Sequence, residues 1–340
     1  MKQNLSIERI TMLWAISESG LGGILHALHS PFTGLVVGGL SIVFIALIAF
    51  QARALSQGNY LKTAGSVAQT ILKSAVFVLL IKALVSPHSP IGAYVAVSVQ
   101  ALLGSLFFGV IPNHKIASLF TGLIATVSSA VQKILVLVIV FGTSFFQAID
   151  EFVVSTAEKL MNLNWLPSFS SAMAIAIGFV CVYAIGGIII GIIAGNFPKN
   201  LQNRSIEIQE IIGNIQIEHG DKHETKKKAW HLIAIYILLL IVAFILEYAF
   251  ISEEASINQL IRTITIVASW VFILQPLFHW FVATVVKKNK IDLTQLEMIK
   301  QNIPKLAHFA KSAWKTSSSM KGFRINNFLL LLISYGLYES

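Results

Sequence analysis

Long apolar runs, separated by short polar breaks, dominate this chain. Eight have the length of a membrane crossing, at residues 10–28, 33–52, 68–85, 91–110, 117–147, 171–196, 229–250 and 260–286. A helix needs about 20 apolar residues to cross ~30 Å of hydrocarbon, and the fifth run is long enough to tilt or protrude. The pattern predicts an all-α, polytopic membrane helical bundle of about eight transmembrane helices: a six-helix core with a two-helix extension.

The breaks divide the chain further. Residues 1–196 hold six closely spaced spans, and 197–228 read as a basic cytoplasmic linker with a short amphipathic stretch from Ser205 to Ile217. Two further spans occupy 229–286, and a basic tail covers 287–340. In that tail Ile299, Ile303, Leu306, Phe309 and Ala310 recur at helical spacing and Trp314 continues the face, the mark of an interfacial or partner-docking helix. The last apolar run, Phe328 to Leu337, is too short to cross and reads as a re-entrant or interfacial segment.

Charge sets the topology. Of the 25 lysines and arginines, 20 fall in the N-terminus, the tail and alternate loops, 2 in the opposite loops (Lys159 and Arg262), and three inside spans. By the positive-inside rule both termini are cytoplasmic, in a plasma-type inner membrane. The net charge of +9 therefore faces anionic headgroups rather than nucleic acid. A make-up of 55% hydrophobic and 12% charged residues excludes an ordinary soluble globule. The single cysteine, Cys181, excludes an intrachain disulfide and a multi-cysteine metal site. The first run holds Glu18 and lacks a small-residue cleavage site, so it reads as a retained span.

Ionisable residues inside spans are costly and therefore candidate functional positions. Glu18 lies mid-run among Ser17, Ser19, Gly20, Gly22 and Gly23, small residues that let another helix approach closely. Lys73 falls near the cytoplasmic end of its run, where the stem can snorkel. Lys82 is near the outer end, within reach of either the outer interface or an anionic ligand. Lys133 is mid-run, so Glu18 and Lys133 are candidates for an intramembrane charge pair. His26 and His29 at the outer end of the first span, with His88 in the loop "SPHSP", map to one rim. Three imidazoles can ligate a metal or hydrogen-bond an organic ligand, and the choice of metal stays open. Pro31, Pro87 and Pro90 bound two tight outer loops. Gln100 and Gly104 add a polar group and a close-approach point to the fourth span. The chain has no Walker A sequence, HExxH or GxSxG, so no enzymatic activity and no cofactor are expected.

The segments "GLGGILHALHSPFTGLVVGG", "KALVSPHSPIGAYVAVSVQALLG" and "YAIGGIIIGIIAGNFP" carry a family likeness. Through them the N-terminal ~200 residues resemble the substrate-binding S component of energy-coupling factor (ECF) transporters. The resemblance implies a six-helix bundle that binds a vitamin-like molecule or a metal ion between its outer loops and the bundle. It also implies docking on a transmembrane coupling subunit with two ABC-type ATPases, through small residues on the first and third spans. Ala15, Ser19 and Gly23 give that spacing on the first span, and Ala75, Leu79 and Ala83 stand at it, imperfectly, on the third.

The expected function is then a membrane transport protein that binds a small solute through His26, His29, His88, Lys82, Glu18 and Gln100, energised by partner subunits. The alternative is a membrane scaffold or assembly protein that docks partners through its basic linker and tail.

Overall fold

A computed structural model describes residues 6–22, 32–56, 60–86, 89–161, 170–214, 309–320 and 322–338, together with Ile273, Pro276, Leu277, Trp280 and Thr284. Among the described residues there is no strand. The helices are α1 (Ile7–Ile16), running on through a π-helical turn (Ser17–Leu21), α2 (Thr33–Leu55), α3 (Tyr60–Val85), α4 (Ile91–Val110) and α5 (His114–Phe141). They are followed by α6 (Ser144–Met161), α7 (Ser171–Asn203), α8 (Ser205–Asn214) and α9 (Arg324–Tyr338).

Among the described residues five helices, α2, α3 from Thr63, α4, α5 and α7, are long and apolar enough to cross a membrane. The expected first span is described only as far as Gly22, and the run 229–250 lies outside the described residues, as does nearly all of 260–286.

Two boundaries differ from the sequence reading. The fifth run is not one helix: Gly142 takes a φ of 75°, a conformation that costs glycine little and ends α5, and α6 starts afresh at Ser144. The expected break at residue 197 falls inside α7, which continues to Asn203 because Phe197 and Leu201 are buried in the core.

Contacts divide the chain into two compact units. One comprises 1–128, 184–221 and 282–340, the other 129–183 and 222–281. In the first, α1 and α2 form the interior. Ile10, Trp14 and Ala15 have no exposed surface, and the most apolar window of α2 is 72% buried. The outer helices are the reverse. Only 17% of the corresponding α7 window is buried, with Ile185, Ile188, Ile189 and Ile192 facing out. A large outward apolar surface suits lipid rather than water.

Helix ends and glycines fix the packing. The Arg53 guanidinium at the end of α2 donates to the carbonyls of Phe108, Ile111 and Pro112 at 2.5, 2.7 and 2.8 Å, closing the C-terminus of α4. At Gly191 a side chain would stand 2.7 Å from Leu119 Cα, and at Gly195 3.0 Å from Lys115 Cα, so α5 and α7 approach at backbone distance there.

The last apolar run proves to be packed. α9 buries Leu330, Leu331, Ile333 and Leu337 against α1 and α8. Arg9 donates to the Leu337 carbonyl at 2.7 Å, a cation at a helix C-terminus. Tyr335 stacks on Phe309 with ring centroids 3.9 Å apart. At the other end, Arg204 donates to Asn327 at 2.8 Å and forms an ion pair with Glu207 at 2.9 Å. That pairing holds the Glu207 carboxyl below the ordinary range and raises the Arg204 guanidinium.

Candidate functional site

The π-helical turn "SESGL" begins one residue before Glu18. A π turn accommodates one more residue than an α turn, and such turns recur at functional positions because they re-aim side chains. Here Glu18 turns into the bundle. It meets Lys82 near the end of α3, with Lys82 Nζ 2.5 Å from Glu18 Oε2 and both side chains almost wholly buried. The Ser41 hydroxyl of α2 donates to the other carboxylate oxygen, Oε1. One carboxylate thus joins three helices, each oxygen accepting from a different neighbour.

The surroundings are close and mixed. The Tyr94 ring of α4 lies 5.9 Å from the Lys82 ammonium, at the outer limit of a cation–π contact. Gly22 abuts the pair: a Cβ there would lie 3.8 Å from Lys82 Nζ and 3.9 Å from Glu18 Oε2. One turn before Ser41, Gly38 faces the amide of Gln100 at a distance a methyl group would close to 2.6 Å. The Gln100 Oε1 and Ser19 Oγ atoms are buried and have no hydrogen-bond partner among the described residues. An unpaired buried acceptor beside an ion pair is expensive unless something completes it.

Of the expected contacts, the structure brings Glu18 and Lys82 together and places Gln100 against the helix that carries Ser41. His26, His29, His88 and Gly23 lie outside the described residues. The anticipated pairing of Glu18 with Lys133 is replaced by two others. Glu18 is taken by Lys82 and Ser41, and Lys133 donates to the Tyr183 hydroxyl of α7 at 2.9 Å. The reason is reach: Lys82 enters the core beside the widened turn of α1. Ala15 and Ser19 are buried within the chain's own bundle, so they pack α1 internally rather than presenting a surface. Among the described residues no group of three or more His, Cys, Asp or Glu could hold a metal.

Ser41 and Tyr183 went unread as partners. The available signal was a lone hydroxyl inside each of two long apolar runs, "GGLSIVFIAL" and "GFVCVYAIGG". What the seam can do chemically is hold opposite charges in a dry site, pass a proton between them, or exchange one partner for a ligand's charge.

The fold and site define a class: an all-α, multi-pass membrane protein with a buried ion pair in its bundle. No family model, no curated protein and no solved structure matches the chain.

Proposed function

We propose that the chain is an integral membrane transport protein that takes a small solute at the Glu18–Lys82–Ser41 seam and is energised by partner subunits. In this reading it sits in the plasma membrane with both termini cytoplasmic, and its solute is a vitamin-like molecule or a metal ion. It is not itself an enzyme.

One observation carries the reading: a fully buried Glu18–Lys82 pair at a π-helical turn, with the unpaired amide oxygen of Gln100 on a side chain that faces Gly38, one turn before Ser41. Apolar side chains of the same volume would pack such an interior at lower desolvation cost. A retained pair with an open hydrogen-bonding position beside it suits a site that exchanges partners. Lys82 and Tyr94 come from the ends of α3 and α4 that the charge pattern assigns to the outer face, where a solute would arrive.

The experiment is gentle affinity purification from native membranes followed by mass spectrometry of bound proteins. ABC-type ATPases together with a membrane coupling subunit are the expected companions. A reproducible partner set lacking ATPases overturns the transport reading and favours the scaffold docked through its basic segments.

A further inference from the structure

One corner of the basic tail turns cations and large apolar side chains outward together. From Phe309 to Tyr338 the chain carries Lys311, Lys315, Lys321 and Arg324 and no acidic residue. Residues 309–316 are helical, and there Trp314 and Lys315 follow Lys311 by three and four positions, all three exposed on one face. The sequence reading ran Phe309 and Trp314 along a single apolar face. The structure parts them: Phe309 is buried and stacked on Tyr335, whereas Trp314 keeps 43% of its surface exposed.

Arg324, the first residue of α9, joins this face. Its guanidinium lies 4.2 Å from the centre of the Trp314 ring and donates to the Trp314 carbonyl at 3.2 Å. Phe323 and Ile325, on either side of it in the chain, are also exposed. Among the described residues none of Lys311, Lys315 and Arg324 makes an ion pair, and Glu207 on the neighbouring α8 is taken by Arg204. Like charges four apart on a helix repel, so the two lysines cost the fold stability that an external anion would offset.

Position and composition select the anion. Arg204 follows the last residue of α7 and donates to Asn327 of α9 at 2.8 Å, which seats the start of α9 beside the end of a span helix. Exposed tryptophan, phenylalanine and isoleucine among cations suit the boundary between headgroups and acyl chains, where aromatic rings and basic side chains both concentrate. An acidic protein segment would satisfy the cations alone.

We propose that this corner binds the anionic phospholipid headgroups of the leaflet on the tail's own side. Lys311, Lys315 and Arg324 meet the phosphates, and Trp314, Phe323 and Ile325 enter the interface beside them. The inference stands whether or not the buried seam binds a solute.

The test reconstitutes the full chain in vesicles of phosphatidylcholine with a minority of phosphatidylglycerol, and sets a photo-crosslinking residue in place of Phe323. Mass spectrometry of the crosslinked peptide should recover phosphatidylglycerol well above its share of the vesicle. That enrichment should shrink as salt is raised, a readout on the parent that needs no further variant. It should fall several-fold in Lys311→Gln/Lys315→Gln and persist in Lys311→Arg/Lys315→Arg, which keeps the charge. Crosslinking to the two lipids in proportion to their share, no crosslink to lipid, or an enrichment indifferent to salt or to the two lysines overturns the proposal. So does a repeat in native membranes in which the probe captures an acidic protein segment instead of lipid.

Discussion

Glu18 and Lys82 stand 64 residues apart in sequence and 2.5 Å apart in space, each almost wholly buried. Breaking one member of such a pair strands a charge in the interior, while removing both leaves only a packing change. Glu18→Gln and Lys82→Met should each destabilise the protein by about 3–5 kcal/mol, and the double variant by clearly less than their sum. A double-mutant cycle of thermal unfolding in detergent measures the coupling, and simple additivity contradicts the pairing. Ser41→Ala removes one hydrogen bond to the same carboxylate and should cost about 1.5–3 kcal/mol.

Close approach of α5 and α7 gives a second, steric prediction. At Gly191 any side chain meets the backbone of Leu119 at 2.7 Å and the Ser118 carbonyl at 2.9 Å, and backbone cannot swing aside. Gly191→Leu should destabilise by about 1–3 kcal/mol or more. Gly178, on the same helix, has nothing within 4 Å of the added atom, so Gly178→Ala should be neutral or stabilising by up to about 1 kcal/mol. Unfolding temperatures of the two variants, compared side by side, read the difference.

How much of this was legible in the sequence varies with the physics. Long apolar runs and their proline ends placed α2, α4, the end of α3 and the start of α7, because span length and helix breaking are local properties, whereas α3 starts eight residues early at Tyr60 and α7 runs through Pro198 to Asn203. The break at Gly142 escaped notice because the polar step Thr143–Ser144 is only two residues long, and Phe145 and Phe146 resume the apolar run at once. Glu18 and Lys82 were each singled out for the cost of burying charge. Their pairing was not, because which charges meet depends on the helix–helix arrangement. The folding of α9 onto α1 was missed for the same reason: Arg9 and Leu337 lie 328 residues apart.

Arg53 should act as a helix cap rather than as a topology charge alone. Its three donors close the α4 C-terminus, and the planar guanidinium reaches all three carbonyls at once. Arg53→Met should cost about 1.5–3 kcal/mol, with Arg53→Lys recovering only part of it. Chemical or thermal unfolding of both variants in detergent provides the comparison, and equal stability of Lys and Arg at this position contradicts a fork-shaped contact.

Acid should loosen the start of α7 through Asp150. Its carboxyl accepts from the Ala172 amide and the Ser170 hydroxyl, each at 2.7 Å. Those contacts, the Ala172 amide foremost, hold its pKa below the ordinary 3.8. A carboxyl depressed in the folded state stabilises fully above its unfolded pKa, and that contribution is lost as pH falls through the folded value. Unfolding temperature should therefore drop more steeply in acid for the parent than for Asp150→Asn. Parallel curves for the two proteins contradict the cap.

The central claim is that the buried seam binds a solute, and a thermal-shift screen of the purified protein in detergent tests it most directly. The panel holds vitamin-like molecules and divalent metal ions, applied to the parent and to the Glu18→Gln/Lys82→Met double variant. A ligand that binds the folded state raises its unfolding temperature in proportion to occupancy. The account predicts that at least one solute stabilises the parent in a concentration-dependent way and fails to stabilise the double variant. A solute that shifts both proteins equally, or a panel that shifts neither, contradicts it.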